Sequence, residues 1–579
     1  MKKLLFLLSI IFWTNFVHAT TYYISASGNN ANAGTIGAPW RTLAYACANT
    51  SSGDIIHVTA GNYTESASCV LAVGVSIEGV GLTSHITSTV TGNAIAVLTG
   101  SGGTNGNQHI SGIWLDGSNW TAYVGINVNR NNVAIYNCTV ENFRNDGIKF
   151  IGNPPTNYIT GCALYNCILN DNSSRSTGQG SLVATGFNGI SIYSNTFDQT
   201  GRSPGSNGNT FSQTTGFYNK AFKFYNNISN RLPDEGSEWS FHLELWDCQG
   251  GYEIYNNEFH GGSQQIDFGG NNVTKGSYAY GADVHDNLFQ FDSPITTAPA
   301  YQDIGVNVEG NCEYIIIRNN HFKNVPYAVQ MTTGHASVGQ TNTTIRNNLF
   351  ENSGYVNNEW GFDIAALLEP ASVDGGGYIT NLNIYNNTFV GSNHLAALFS
   401  YVNTGRTFTN VQFINNIVQG VRSYGYLAFD GEPGTKTGWV VRNNLLYQNA
   451  NSNSYDLNGS ATAPSGWTYT ANTTGNPLFV DQYKLSASSP AIDAGYNVGL
   501  QYCGLAPDKG YKEYGCDIVL PIKARFLLTN ANNTQFQWES LDEDGIAYWA
   551  IEESTDYGAT WHGFKNVAAF GSPHQYVVK

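Results

Sequence analysis

The stretch Glu253-Ile254-Tyr255-Asn256-Asn257 is one copy of a short segment that recurs along the chain. Each copy has a few apolar or aromatic residues and ends in an Asn pair or a close variant. We call the last residue of each copy the marker position. The eleven marker residues stand 28 to 39 residues apart and are Cys138, Cys167, Asn195, Asn227, Asn257, Asn287, Asn320, Asn348, Asn387, Asn416 and Asn444. A regular spacing of this kind indicates a repeat architecture.

The repeat predicts stacked coils of short strands. Nothing between the markers shows helical periodicity, so each repeat of about thirty residues is read as two or three strands joined by turns. Stacking pairs every strand with its copy one coil on, roughly 4.8 Å away. Asn tolerates a left-handed backbone and can bond to the Asn of the next coil, which predicts an Asn ladder. Core stacking is predicted for Phe259, Phe289, Phe322, Phe350 and Phe389.

These features favour an all-β parallel β-helix of about thirteen coils. The composition agrees, because only 12% of residues are charged while 64 are Gly and 35 are Tyr, which is typical of extracellular β proteins.

The first nineteen residues read as a secretory signal peptide. Lys2 and Lys3 precede an apolar run from Leu4 to Trp13, and Val17-His18-Ala19 is a small-x-small cleavage signal. We therefore expect a secreted or cell-surface protein that begins near Thr20 and inserts no segment into a membrane. The net charge is -16, or -16 - 2 = -18 without Lys2 and Lys3. Such a surface argues against nucleic acid as a partner.

The nine cysteines predict disulfides rather than a metal centre, because no Cys-x-x-Cys pair is present. Cys503 with Cys516 is the favoured pair, and Cys47 with Cys69 is the second. The marker residues Cys138 and Cys167 are expected inside the core.

Both ends of the repeat region resemble bacterial secreted right-handed parallel β-helix proteins. The likeness rests on Tyr22–Asn29, Gly37–Leu43, Gly53–Val58 and Gly61–Thr64 at the start, and on Asn476–Asp481 and Ser489–Gly495 at the end. It implies a right-handed coil over residues 20–519, a capping helix around Thr42 to Ala48, and an activity like that of polysaccharide lyases or glycoside hydrolases.

Residues 520–579 resemble part of a fibronectin-like module of Bacteroidetes proteins. Thr534–Glu539 and Trp549–Ser554 alternate as strands. The segment is short for a full β-sandwich, so a degenerate or truncated module is expected.

A second set of strands lies between the markers and carries the candidate chemistry. Alternation sends Leu243, Leu245, Ile266 and Phe268 inward and their neighbours outward onto one face. Carboxylates on adjacent coils would lie roughly 5 Å apart, which suits a retaining glycosidase pair or a calcium site. The predicted catalytic residues are Glu244, Asp267 and, as a base, His242. The predicted substrate-binding residues are Trp246, Gln265, Asn307, Glu309, Gln330, Lys149, Arg202 and Arg231, and the predicted calcium ligands are Asp234, Glu235 and Glu238.

The expected partner is a polysaccharide, and the chain is expected to be a monomer. Arg202-Ser203-Pro204-Gly205-Ser206-Asn207 has Asn where the Arg-x-Pro-x-x-Arg signature associated with pectate lyases has its second Arg. Hydrolase and lyase therefore both stay open. The alternative is a non-catalytic glycan-binding or adhesion protein, since polar outward residues also form an ordinary solvated face on any β-helix.

Overall fold

The computed structural model describes residues 19–98, 103–173, 180–200, 213–231, 241–270, 279–292, 303–332, 339–353, 378–391, 397–400, 407–421, 427–430, 435–449, 455–456 and 466–516, and five later strands. The chain divides into two compact units. The first comprises Met1–Leu500 with Ala506–Lys512, and the second comprises Gln501–Leu505 with Glu513–Lys579. Within the described residues, no helix is long and apolar enough to cross a membrane.

The segments that end at the markers build one long parallel sheet, the marker sheet. Its described strands are Thr21–Ile24, Ile55–Val58, Ser76–Gly79, Asn105–Ser111, Asn131–Tyr136, Ile159–Thr160, Ala163–Tyr165, Phe187–Tyr193, Lys220–Tyr225, Gln249–Tyr255, Ala279–His285, Cys312–Arg318, Gly339–Thr341, Thr344–Arg346, Tyr378–Tyr385, Thr407–Ile414, Thr435–Thr437, Val440–Arg442 and Thr468–Thr470.

A second parallel sheet holds the strands between the markers on which the candidate residues lie. Its described strands are Cys69–Val70, Asn93–Val97, Val124–Val128, Asp146–Ile151, Gly180–Thr185, Thr214–Phe217, Phe241–Trp246, Gln264–Gly270, Ile304–Gly310 and Tyr327–Thr332. A smaller parallel sheet consists of Ala397–Ser400, Leu427–Asp430 and Tyr455–Asp456.

The third parallel sheet follows each marker directly. Its described strands are Gly61–Glu65, Ser84–Ser88, Trp114–Asp116, Thr139–Glu141, Ile168–Asn170, Thr196–Asp198, Ile228–Asn230, Glu258–His260, Leu288–Gln290, His321–Lys323, Leu349–Glu351, Thr388–Val390, Ile417–Gln419, Leu445–Tyr447 and Thr473–Thr474. Each coil thus runs from the second sheet to the marker sheet, then to the third sheet and on to the next coil. This is the predicted right-handed parallel β-helix.

A short helix, Leu43–Ala48, packs its buried residues Leu43, Ala46 and Cys47 against the core at the start of the coils. Thr42 caps it by accepting a hydrogen bond from the Tyr45 amide. The predicted capping helix is therefore present. Two 3-10 turns, Gly81–Thr83 and Asp481–Tyr483, complete the described helical elements.

The two residues of each Asn pair have different structural roles. The sequence had predicted both the left-handed backbone and the hydrogen bond to the next coil for the marker. The first residue turns the chain with a left-handed backbone, as at Asn226 (φ 55°) and Asn256 (φ 54°). The marker itself is buried and bonded along the stack. The Asn257 amide nitrogen donates to Asn287 Oδ1 at 2.9 Å and to the Phe224 carbonyl at 2.9 Å. This ladder runs from Asn195 to Asn472, one coil beyond the predicted end.

Aromatic side chains stack in two further columns. Inside the core, the rings of Phe259, Phe289, Phe322, Phe350 and Phe389 lie 4.6–5.2 Å apart in near-parallel pairs, as predicted. On the outside of the marker sheet, five Tyr rings stack 4.9 Å apart, at Tyr136, Tyr165, Tyr193, Tyr225 and Tyr255.

The cysteines follow the sequence analysis. Disulfides join Cys47 to Cys69 and Cys503 to Cys516. Cys138 and Cys167 are buried free thiols that begin the marker column, because the Cys167 amide donates to Asn195 Oδ1.

The second unit, taken by itself, contains antiparallel strands. One sheet holds Ala524–Phe526, Phe536–Ser540 and Gln575–Val578, and Tyr548–Glu553 pairs with His562–Ala568. Its kinship with a fibronectin-like module stays a prediction.

We predict that Asn257→Ala lowers the free energy of unfolding by about 3 kcal/mol, because it leaves the Asn227 amide and the Phe224 carbonyl buried without partners. Urea denaturation followed by circular dichroism measures the change. The control is Asn188→Ala, which removes an exposed Asn from the marker sheet and should change stability by no more than about 0.5 kcal/mol. Equal effects of the two variants would contradict a stabilising role for the ladder.

Candidate active site on the second sheet

The parallel register brings the candidate residues of the second sheet into two adjacent rows. In the first row, Glu244 pairs with Asp267, Asp267 with Asn307, and Asn307 with Gln330. The second row, two residues further along each strand, contains Trp246, Gly269 and Glu309. The alternate residues point inward and are fully buried, namely Leu243, Leu245, Ile266, Phe268, Val306, Val308, Val329 and Met331. The predicted alternation is therefore correct for this part of the strands.

The first row is not the solvated face that the sequence suggested. Asp267, Asn307 and Gln330 are only 1%, 2% and 1% exposed, whereas Glu244 and Glu309 keep a partly exposed surface. The two rows together therefore contain one buried carboxyl and two carboxyls that solvent reaches. We call Glu244, Asp267 and Glu309 the carboxylate cluster.

Burial and like charge both disfavour ionisation of Asp267. Burial raises its pKa well above the usual value, and the nearby charges of Glu309 and Glu244 raise it further. The Asn307 amide donates to Asp267 Oδ1 at 2.7 Å and, together with the Trp246 side chain, lowers the pKa in part. Burial outweighs these contacts, so the Asp267 carboxyl holds a proton at a pH where a solvated Asp would be ionised.

Glu309 is also inclined to keep its proton. Burial raises the pKa of its carboxyl, and the charge of Glu244 raises it further. The backbones of Glu244 and Glu309 are two strands apart, roughly 10 Å across the sheet. Among the described residues, no three His, Cys, Asp or Glu side chains are grouped to hold a metal ion.

Trp246 lies flat over Gly269 of the next coil. A Cβ atom built on Gly269 would stand 2.4 Å from Cε2 of the indole, so a larger residue there would push the ring away. Because Gly269 pairs with Glu309, the partly exposed indole lies beside this acid. Strand alternation predicted Trp246 as a site residue but did not predict Gly269. The one feature that could have indicated Gly269 is a Gly at an outward position of a strand.

Two polar atoms of the first row are buried and make no hydrogen bond with the part of the chain that the structure describes. They are Asn307 Oδ1 and Gln330 Nε2, an acceptor and a donor on neighbouring strands. Buried polar atoms are usually paired. A buried water that bridges these two atoms would satisfy both of them.

His242 does not point outward, and its predicted place on the surface is wrong. The side chain is fully buried at the corner where the third sheet turns into the second. Its Nδ1 lies 2.7 Å from Ser229 Oγ, and its Nε2 lies 3.0 Å from the Gly261 carbonyl oxygen. His242 and the equivalent residue of the next coil, Gln265, are both missing from the paired positions, between Phe241–Gln264 and Leu243–Ile266, and both side chains are buried at the corner. Burial holds its pKa well below the usual value.

Gln265 and Arg231 are likewise buried instead of facing a substrate. The Gln265 amide donates to the carbonyls of Phe259 and Gly261 at 3.2 Å. Arg231 is 3% exposed and donates through Nη1 to the Phe241 carbonyl at 3.0 Å. These side chains support the corner turn, which strand alternation could not reveal.

Lys149 lies on the same face as the cluster but not beside it. It is three strands from Glu244 through Val183 and Thr215, a distance of roughly 14 Å, and its ammonium pairs with Asp146 at 3.1 Å. Arg202, Asp234, Glu235 and Glu238 lie outside the described residues.

We predict that Asp267→Asn raises the melting temperature at pH 8 and has little effect near pH 4. The folded state binds the Asp267 proton more tightly than the unfolded chain does. Wild-type stability is therefore highest below the unfolded pKa and falls as the pH rises towards the folded pKa. Calorimetry across this range, with the exposed Asp292→Asn as control, tests the sign. A lower melting temperature for Asp267→Asn at pH 8 would show that Asp267 is ionised in the folded protein.

No protein-family model and no curated protein matches the sequence. Among solved structures, the chain is similar to the pectate lyase Pel9A at 16% identity over 86% of this chain and 96% of that chain, with a TM-score of 0.26. A mutant tailspike protein of the E. coli bacteriophage HK620, in complex with a pentasaccharide, matches at 9% identity over 90% and 85%, with a TM-score of 0.42. The GH136 lacto-N-biosidase from Eubacterium ramulus matches at 11% identity over 59% and 67%, with a TM-score of 0.34.

Proposed function

We propose that this protein is a secreted carbohydrate-active enzyme that hydrolyses a polysaccharide at the carboxylate cluster. The observation that carries the proposal is the arrangement of Glu244, Asp267 and Glu309 on three successive coils, with one acid buried and two reachable. Acid–base cleavage of a glycosidic bond needs two carboxyls in different protonation states.

The roles follow from accessibility and charge. Glu309 acts as the general acid, because its raised pKa keeps a proton available for the leaving oxygen. Glu244 acts as the general base. Glu309 is two strands from Glu244 and two residues further along its strand, so their backbones are about 12 Å apart. This diagonal leaves room for a water between the side chains, which fits inversion rather than the retaining pair suggested by Glu244 and Asp267.

Asp267 is a positioning residue in this scheme. It lies between the two reachable acids and is too buried to contact a sugar directly. Its raised pKa favours the neutral form, which limits the like charge in the cluster. Its 2.7 Å hydrogen bond keeps Asn307 oriented. Trp246 offers an aromatic surface beside Glu309 on which a sugar ring can stack.

The charge around the cluster favours a neutral glycan over a uronate. A lyase acting on uronates needs a cation near the sugar carboxylate, and Lys149 is roughly 14 Å from Glu244 and paired with Asp146. Calcium bound by Asp234, Glu235 and Glu238 would supply that cation. Lyase activity is therefore a separate outcome of the glycan test described below.

Export is part of the proposal. Two disulfides are typical of proteins that work outside the reducing cytosol, and they agree with the signal peptide proposed for residues 1–19. The net negative charge of the chain disfavours nucleic acid as a partner, and a monomer that acts on a polysaccharide is part of the same proposal.

We expect the purified protein to release reducing ends from at least one neutral polysaccharide of a panel. It should not form the unsaturated, ultraviolet-absorbing products that a lyase would release. Glu244→Gln and Glu309→Gln should each lower kcat at least about 100-fold, because each removes a proton-transfer group. Asp267→Asn should change kcat less than either.

The matched control is Glu253→Gln, since Glu253 is a carboxylate on the marker sheet, paired with Lys223 at 2.8 Å and away from the cluster. It should retain wild-type kcat. An increase in absorbance with uronic glycans would identify a lyase. Glycan binding without any new ends would identify a binding protein. Full activity in both Glu244→Gln and Glu309→Gln would show that the cluster does not take part in catalysis.

A further inference from the structure

A separate cavity of about 700 Å³ lies on the outer face of the third sheet. Its floor includes His321, Glu351 and Gln419, and its wall is the turn that carries Phe479, Asp481 and Tyr483. This turn belongs to the Asn476–Asp481 motif, to which the proposed hydrolysis gives no role. The cavity is of the size that small-ligand sites usually have.

The wall of the cavity is fixed by several contacts to the coils. The Tyr483 hydroxyl donates to Glu351 Oε1 at 3.4 Å, and the Tyr511 hydroxyl donates to the Gln482 carbonyl at 2.5 Å. Tyr511 is itself held by its amide, which donates to Thr388 Oγ1 at 3.0 Å. The rings of Phe479 and Tyr483 meet edge to face, with centroids 5.7 Å apart. A preformed wall lowers the entropic cost of binding a ligand.

The floor offers polar groups that are only partly used. Gln419 Oε1 is buried and accepts no hydrogen bond within the part of the chain that the structure describes. Gln419 lies in the same row of the third sheet as Glu351, two strands away through Val390. Two acceptors roughly 10 Å apart on a flat sheet can bond to hydroxyl groups at the two ends of a short ligand.

Both carboxylate oxygens of Glu351 on the floor have partners within the protein. His321 Nε2 lies 2.9 Å from Glu351 Oε2. This contact is the main reason that the pKa of Glu351 lies below its usual value, and the charge of Lys323 lowers it further. Because an ionised carboxyl has about four acceptor sites, Glu351 can still accept a hydrogen bond from a ligand hydroxyl. A second carboxyl at Asp481 disfavours anionic ligands.

We propose that this cavity is a binding site for a neutral oligosaccharide of two or three sugar units. Hydroxyl groups bond to Gln419 and Glu351, and the apolar face of a sugar ring packs against the aromatic wall of Phe479, Tyr483 and Tyr511. The site lies on a different sheet from the carboxylate cluster, and its occupancy does not require that the cluster be catalytic. It would hold a glycan on the coils independently of cleavage.

The test is isothermal titration of the full chain with cellotriose, maltotriose, xylotriose and, as the anionic comparison, trigalacturonate. At least one neutral trisaccharide should bind, and trigalacturonate should bind more weakly. Gln419→Leu and Glu351→Gln should each weaken the neutral ligand about tenfold or more, as expected for a lost hydrogen bond that leaves a partner unpaired. Circular dichroism confirms that each variant is folded.

The matched control is Gln290→Leu, because Gln290 occupies the same row of the third sheet but does not line the cavity. It should bind like the wild type. Glu244→Gln separates the two proposals, since it should lose hydrolysis and keep this binding. Failure of all neutral trisaccharides to bind, equal binding of trigalacturonate, or unchanged affinity in both cavity variants would overturn the inference.

Discussion

The hydrogen bond from one marker Asn to the next is the constraint on which the first unit depends. Each marker amide donates to the marker carbonyl oxygen of the following coil and to a backbone carbonyl, and its own oxygen accepts the amide of the preceding marker. Every polar atom of these side chains is therefore used inside a buried column. A marker shifted by one residue would face the other side of the strand. The ladder thus holds the coils from Asn195 to Asn472 in one register, whatever the length of the connections between them.

That register also decides which side chains of the second sheet meet. With the coils aligned, Glu244 can only neighbour Asp267, and the position after Asp267 in the same row can only be Asn307. The connections between these strands differ in length, but the ladder keeps the register of the strands the same. Carboxyl groups are thereby held one strand apart, a separation that they would not adopt on a flexible surface. Burial is the main cause of the raised pKa values of Asp267 and Glu309, and the repulsion between the carboxyls raises these values further.

The sequence predicts periodic features well and corners poorly. The marker spacing leads to the coils, to the Phe column and to the inward Leu243 and Leu245, because each depends on a local period. His242 does not follow this period, since it lies beside the corner, where its side chain and that of Gln265 on the next coil are both buried. The burial of Asp267 also could not be predicted, because alternation gives the direction of a side chain and not the residues that cover it. The cavity beside Glu351 depends on Tyr483 and Tyr511, which are 132 and 160 residues further along the chain. A local sequence pattern cannot predict contacts between residues so far apart.

A rigid stack restricts how such a protein can place two acids. Strand spacing is fixed at roughly 4.8 Å, so the separation of two side chains changes in steps of one coil or of two residues along a strand. One step gives the short separation of a retaining pair, and two steps give the longer separation of an inverting pair. In this chain the one-step partner of Glu244 is Asp267, which is buried, whereas Glu309, which solvent reaches, is two coils away and two residues further along its strand. Under the proposed function, burial therefore favours the longer separation, although the backbone also offers the shorter one.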